Sequence, residues 1–275
     1  MRKLTKGLGI LLASSLVLGL AACGGGSDDK ALSTEKITIG TTAGPHQQIA
    51  EEVQKLAKKD GLEIKIKIKT FDDYNTPNTA LNDGDLDANN YQTIPFLEQQ
   101  KKDKGYKLDV AFKTVAFPMG IYSNDIKDLK NLKKGDKIAV PNDPSNEYRG
   151  LKLFEDAGVI KLKDGVEEKA TKKDIAENPL DLEIVELEAS QIPAQLDEVA
   201  AAAINTNFAM GAGLSINKDA IYHEPTKDNP YPNVFVVRSA NKDDEVVKTL
   251  EKYYHSDEVK AFIEKEFNGS VVPAF

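Results

Sequence analysis

Between Lys36 and Ile68 the hydrophobic period of the chain changes twice. Lys36-Ile37-Thr38-Ile39-Gly40 alternates as a strand does. Ile49, Val53, Leu56 and Ala57 then mark one face of a helix that runs up to Gly61, and Leu62, Ile64, Ile66 and Ile68 alternate again with charged residues. Further strand signals fall at 108–112, 115–123, 137–140, 182–187, 199–204 and 234–237, with helical stretches between most of them. This order predicts an α/β chain of parallel sheets covered by helices, in which ligands collect at the carboxyl ends of strands. The roughly 240 residues from Ser33 onward suffice for one large domain or two lobes.

Residues 1–23, MRKLTKGLGILLASSLVLGLAAC, have a basic start (Arg2, Lys3, Lys6) and an apolar run from Leu8 to Ala22, the pattern of a secretory signal. The run falls short of the roughly 20 apolar residues of a spanning helix and ends in small residues suited to a peptidase. Leu20-Ala21-Ala22-Cys23 resembles the bacterial lipobox, in which the cysteine is acylated and begins the mature chain. Cys23 is the only cysteine, so no disulfide forms within the chain. Two or more long chains such as palmitate on Cys23 would hold the protein at a membrane, each buried methylene adding about 0.8 kcal/mol. The expected organisation here is a signal peptide over 1–22 and a lipidated flexible tether over 23–34. Gly24-Gly25-Gly26-Ser27 and the charged residues after it have no apolar side chain to bury. The net charge of −8, made more negative by loss of the three basic groups of the signal, serves solubility and makes nucleic acid and anionic lipid poor partners.

Arginine occurs only at positions 2, 149 and 238, lysine filling every other basic position. A guanidinium differs from an ammonium chiefly in gripping a carboxylate or phosphate with two parallel donors, which makes Arg149 a candidate anion anchor, the alternative being a surface ion pair. Its context is a strand ending at Val140, then Asp143 as helix cap, Pro144 in the first position, Leu151 and Phe154 as apolar face and Gly158 as terminator. Arg149 is thereby expected near a helix start, where free N–H groups favour an anion and Asn146 adds an amide. A second strand-to-helix junction falls at VAAAAINTNFA, 199–209, where Asn205 can receive an ammonium through its carbonyl or simply cap the helix.

Tyr74, Tyr91 and Phe96, in the segment 71–100, can line a pocket for an uncharged side chain or belong to plain core. Asp83, Asp85 and Asp87 alternate as in a calcium loop, but Ala88 and Ile94 stand where that loop needs glycine and glutamate, so solvated acids are expected. A metal receptor built on His46, His223 and His255 lacks ligand spacing. A hydrolase finds no G-x-S-x-G, no H-E-x-x-H and no thiol beyond Cys23, although paired carboxylates stay open.

Taken together, the lipobox, GDLDAN at 84–89, AVPNDPSN at 139–146 followed by Arg149, IVELEASQIP at 184–193, INT at 204–206 and SDEVKAFIEKEFNG at 256–269 resemble the methionine-binding lipoproteins of the NlpA lipoprotein family, solute receptors of bacterial methionine ABC importers. The resemblance implies a two-lobed periplasmic-binding-protein fold (type II-like) with mixed sheets flanked by helices and a ligand cleft between lobes. Residues 35–117 and 235–275 would form one lobe and 118–234 the other. It also implies a non-enzymatic, cofactor-free monomer anchored on the extracytoplasmic face of the cell membrane, delivering an amino acid to a permease and its ATPase. Family members hold the amino acid with residues at the positions of Arg149, Asn146, Asn205, Asn233, Tyr74, Tyr91 and Phe96. Where the family commonly has Phe-Gln-His and then Pro-Tyr, this chain reads Tyr91-Gln92-Thr93-Ile94-Pro95-Phe96, which places Thr93 at the pocket and leaves the preferred side chain open. Another amino acid, a short peptide, or an adhesin on the same fold are the alternatives. Arg149→Ala is expected to keep the fold and lose the ligand.

Overall fold

The structure is a computed structural model that describes residues 30–166 and 169–275. Its elements, in order, are β1 (Lys36–Thr42), α1 (Pro45–Lys59), β2 (Lys65–Phe71), α2 (Thr76–Asn82), β3 (Ala88–Thr93), α3 (Ile94–Lys104) and β4 (Leu108–Ala116). There follow β5 (Gly120–Tyr122), β6 (Lys137–Pro141), α4 (Pro144–Asp156), β7 (Lys161–Leu162), β8 (Ile175–Glu177), β9 (Glu183–Leu187), β10 (Ala201–Ile204), α5 (Thr206–Gly211) and β11 (Ala220–His223). The chain ends with β12 (Pro232–Arg238), α6 (Glu245–Tyr254), α7 (Asp257–Phe267) and β13 (Val272–Pro273).

Two large sheets carry most of these elements, and β7 and β8 form a separate two-stranded one. Of the large sheets, one has the strand order β13-β4-β12-β3-β1-β2, the other β11-β5-β10-β6-β9. The βαβ units pair in parallel, β1 with β2 and β3, and β6 with β9 and β10. The sheets are nevertheless mixed rather than all parallel, because β12 runs antiparallel between β3 and β4, and β5 antiparallel to β10. Alternation along β12 shows how the larger sheet is covered on both faces. Phe235 and Val237 pack with Ile49 and Val53 of α1 and with α6 and α7, whereas Val234 and Val236 pack with Leu81 of α2 and Leu97 of α3. In the smaller sheet Ile138 and Val140 face Leu151 and Phe154 of α4, while Ala139 and Ala202 face Ile192 and Leu196 of a 3₁₀ stretch over Ala189–Glu198.

The chain crosses from the larger sheet to the smaller at Phe117-Pro118-Met119 and returns over 224–231. Because β12 begins at Pro232 in the larger sheet, Asn233 belongs there and not with the lobe that was expected to run to 234. The tether is also shorter than expected at its inner end. Leu32 is buried in the main core with its N–H on Asp244 Oδ2 at 2.7 Å, and Lys30 O accepts Asn241 Nδ2 at 2.9 Å, since an apolar side chain shortly before β1 finds cover on α6. Cys23, the signal segment and the glycines after it lie outside the described residues. Among the described residues no helix is long and apolar enough to cross a membrane.

Candidate functional site

Between the two sheets lies a cavity, and all eight side chains expected at the site line it. Tyr74 comes from the loop after β2, Tyr91 and Thr93 from β3, Phe96 from the first turn of α3 and Asn233 from β12. Asn146 and Arg149 come from α4, and Asn205 from the β10–α5 junction. Gln92, Phe117, Thr206 and Asn207 complete the wall. The carboxyl ends of the parallel strands β2, β3, β6 and β10 thus converge, which is where open α/β sheets place their ligands.

The polar groups are oriented in relays, each fixed by a partner that has only one possible role. Asp143 caps α4, taking Asn146 N at 3.0 Å, and its two oxygens also hold Asn146 Nδ2 at 3.0 Å each. With its amide so held, Asn146 offers Oδ1 to Asn205 Nδ2 at 2.9 Å. Asn205 Oδ1 is consequently left buried with no hydrogen-bond partner among the described residues. Asn205 stands at the N-cap position of α5 but makes no side-chain cap, so the capping alternative is not the one taken. Tyr74 donates its hydroxyl to Asn207 Oδ1 across the two sheets, which leaves Asn207 Nδ2 buried without a partner among the described residues.

Asn233 Oδ1 lies 2.9 Å from His46 Nε2, and His46 Nδ1 lies 2.7 Å from Thr42 Oγ1. A carbonyl oxygen can only accept, so Nε2 carries the imidazole proton and Nδ1 accepts from threonine. Burial pushes the His46 imidazole down to about 4 against the pull of its bond to Asn233, which keeps the ring neutral, and it stacks on Phe117 at 4.3 Å. His46 is therefore an orienting group for Asn233. His223 bonds Glu224 O and His255 bonds Lys113 O, and no group of metal-ligating side chains exists among the described residues.

Arg149 is buried, as an anchor must be, yet its fork is engaged within the protein. Nε and Nη2 each lie 2.6 Å from an oxygen of Glu224, Nη2 also reaches Phe117 O at 2.6 Å, and the ring of Tyr231 lies 4.4 Å from Cζ. Burial acts against the guanidinium charge, and the Glu224 carboxylate more than offsets it, holding the group above the usual arginine value. Only Nη1 has no bond to a described residue. Two expectations are corrected here. The two-pronged grip closes on Glu224, and the first-turn N–H of Asn146 is taken by the protein's own Asp143, so no vacant helix N-terminus supplies the anion site.

The aromatic wall is a cluster in its own right. Tyr74, Tyr91 and Phe96 meet at centroid distances of 5.8 to 6.1 Å, and Phe208 lies 4.8 Å from Tyr74. Pocket lining and core are thus one answer for these rings, which pack on each other and present their remaining surface to the cavity. The Tyr91 hydroxyl is held by Tyr74 O at 2.7 Å, and Thr93 caps α3 by accepting Phe96 N at 3.4 Å. Asp83 and Asp85 are exposed, as solvated acids should be, whereas Asp87 is half-buried and takes Thr38 N at 2.7 Å. Phe117, Thr206 and Glu224 were not expected at the site. Phe117 and Glu224 sit at the chain crossings, where no periodicity marks them, and Thr206 closes the INT stretch.

A two-sheet molecule whose chain crosses twice between lobes, with a polar and aromatic cavity at the crossing, is a solute-binding protein of the periplasmic type. The sequence profile of the NlpA lipoprotein family matches residues 37–275, and the chain belongs to that family. It is 48% identical over 261 residues, 94% of each chain, to the D-methionine-binding lipoprotein MetQ of Salmonella typhi. The structure of a nutrient binding protein from Burkholderia cenocepacia bound to methionine is similar at a TM-score of 0.82 and 50% identity, covering 87% of this chain and all of that one (100%). A periplasmic substrate-binding protein of an ABC transporter from Coxiella burnetii is similar at a TM-score of 0.82 and 46% identity, covering 86% of this chain and 100% of that one.

Proposed function

We propose that this protein captures free methionine in the cleft between its lobes and delivers it to an ABC permease and its ATPase, acting as a monomer held by acyl chains on Cys23 at the extracytoplasmic face of the cell membrane. The observation that carries the reading is the pattern of unused polar atoms on the cavity. Among the described residues Asn205 Oδ1 is a buried acceptor without a donor and Asn207 Nδ2 a buried donor without an acceptor, while Asn233 is bonded through its Oδ1 and Arg149 through Nε and Nη2. An ammonium at Asn205 and a carboxylate at Asn207 answer both, and the rings of Tyr74, Tyr91 and Phe96 suit an apolar thioether chain. The similarity to MetQ and to a methionine-bound receptor supports that choice of side chain. The lobes, residues 35–117 with 232–275 and 118–231, close by bending at the crossings 117–119 and 224–231, driven by contacts that only the closed state makes.

Mass spectrometry of the small molecule released on denaturing freshly purified protein is expected to find methionine. Protein stripped by refolding should then bind L- or D-methionine by calorimetry. Release of a different compound, with no heat from either isomer, overturns the assignment. Cys23→Ser should move the protein from the membrane fraction to the soluble one.

A further inference from the structure

The established features of a receptor of this kind account for Arg149 but not for Glu224, which enters the site from the return crossing. Its side chain is 8% exposed against 4% for Arg149, so the pair is shielded from water. Both carboxylate oxygens are engaged. Oε1 takes Arg149 Nε at 2.6 Å, while Oε2 takes Arg149 Nη2 at 2.6 Å, Met119 N at 2.8 Å and Asn229 Nδ2 at 3.0 Å. The backbone N–H of Glu224 bonds Met119 O at 2.9 Å, so the same residue also fastens one chain crossing to the other. In this arrangement Glu224 occupies the fork of Arg149 and cancels its charge, leaving Nη1 as a single donor for an anion.

From this geometry we infer that Glu224 is a specificity-determining residue, which by neutralising Arg149 inside the cavity restricts the site to zwitterions and excludes ligands that bring a carboxylate without an ammonium. The inference rests on the amino-acid reading proposed above. In a closed, dry cleft an unbalanced charge is expensive. With the zwitterion bound, Arg149, Glu224 and the ligand sum to zero. With the corresponding α-hydroxy acid, which replaces the ammonium by a hydroxyl, they sum to one negative charge. Replacing Glu224 by glutamine removes one negative charge beside Arg149 and so shifts the balance toward the anion. Asp143, a half-buried carboxyl bonded to the lining residue Asn146, is the same in both proteins and drops out of that shift.

The test is the ratio of affinities for methionine and its α-hydroxy acid analogue, measured by calorimetry on ligand-stripped wild type, Glu224→Gln and Glu224→Asp. Glu224→Gln is expected to shift the ratio by about tenfold or more toward the hydroxy acid. Glu224→Asp, shorter but charged, should weaken both ligands and keep the wild-type ratio. A role confined to holding the crossings together would weaken both ligands alike in every variant, and an unchanged ratio in folded Glu224→Gln overturns the inference. Should that variant fail to fold, a crystal structure of the wild type with methionine decides. The ligand carboxylate on Nη1 with Glu224 still on Nε and Nη2 supports the inference, and a carboxylate that has displaced Glu224 from the fork overturns it. Wild type that binds neither isomer of methionine removes the amino-acid reading and this inference with it, whereas an unchanged ratio removes the inference alone.

Discussion

Deleting the Arg149 guanidinium takes away more than a ligand contact, because Glu224 stays behind in the interior. Its remaining partners, the Met119 N–H and the Asn229 amide, carry no charge. Breaking a buried pair by removing one member costs about 3–5 kcal/mol. Arg149→Ala is therefore expected to lose stability of that order in urea unfolding of the ligand-free protein, as well as affinity, contrary to the expectation of an intact fold. The paired change Arg149→Met with Glu224→Leu should recover most of the stability and none of the affinity. Equal unfolding midpoints for wild type and Arg149→Ala refute this account. His46 makes a second residue-scale prediction. Its ring falls from 6.5 to about 4 on folding, so between those values the unfolded chain binds a proton that the folded protein refuses. Stability from this group is present above pH 6.5 and is lost as pH falls toward 4, by about 3 kcal/mol in all. Glu147 runs the other way, burial raising it from 4.5 to about 7, so its contribution is lost as pH rises. The difference between wild type and His46→Gln isolates the histidine, since Glu147 is common to both. That difference in Tm should shrink steadily from pH 6.5 to 4, and a flat difference would show that the buried ring does not titrate as described. Arg149 was legible because one guanidinium in a lysine-rich chain sits beyond a strand-cap-helix signal. Glu224 was not, being one of 44 acids, 75 residues away and on a crossing without periodicity.

At the scale of elements, most alternating or apolar runs are strands, but the expected strand over 115–123 is broken by the crossing at 117–119 into the end of β4 and β5, Leu62 and Ile64 precede β2, and the central strand β3 carries neither signal. Every residue of β3, Ala88-Asn-Asn-Tyr-Gln-Thr93, is buried, yet four of the six are polar amides or hydroxyls besides Tyr91. Asn89 and Gln92 bond each other and Asn78 of α2, while Asn90 Oδ1 accepts from Thr114 of β4 at 3.0 Å and Asn90 Nδ2 has no partner among the described residues. Gln92 Nε2 reaches Asn78 Oδ1 at 2.6 Å and Asn89 Oδ1 at 2.9 Å, and Asn89 Nδ2 reaches Asn78 Oδ1 at 2.9 Å. A hydrophobic-period reading has no access to a buried polar layer, and this layer is what backs the aromatic wall. The antiparallel insertion of β12 was hidden for a different reason: it returns from the far lobe over more than a hundred residues, and local pattern carries no partner. Helix α4 was read closely, from its Asp143 cap to its apolar face, but not how near it lies to the sheet. A Cβ on Gly150 would stand 3.1 Å from Val140 Cγ1 and 3.2 Å from Ala203 Cβ, so α4 rests directly on β6 and β10. Gly150→Val is expected to push the helix off the sheet at a cost of about 1–3 kcal/mol. Because Asn146 and Arg149 ride on the same helix, methionine affinity should fall together with the unfolding midpoint. Lost stability with unaltered affinity would mean that the site is not positioned through this contact.

For the molecule as a whole, the two lobes meet through few direct hydrogen bonds at the cleft, and the one from Tyr74 to Asn207 links the aromatic wall of the larger lobe to the amide cluster of the smaller. Phe208 packs on the same Tyr74 ring, so opening the cleft separates both the polar and the apolar contact. In the open state water satisfies the phenol and the amide, whereas in the closed state they satisfy each other. Tyr74→Phe keeps the ring and removes the donor, leaving Asn207 Oδ1 dry and unpaired only when the cleft is shut. An unsatisfied buried acceptor costs about 1–3 kcal/mol, which falls on the closed state alone. Stability against global unfolding should also drop, so a melting curve does not isolate the effect. Dissociation kinetics do. Release requires opening, and destabilising the closed complex by that amount speeds release by about fivefold to a hundredfold while association, which begins from the open form, changes little. Stopped-flow displacement of bound methionine, read with small-angle scattering of the ligand-free and saturated protein, is the measurement. Faster release with a more open saturated envelope is expected. An unchanged release rate in a folded Tyr74→Phe protein would mean that the lobes are held by the ligand and the Arg149–Glu224 crossing alone, with the Tyr74–Asn207 bond contributing nothing to closure.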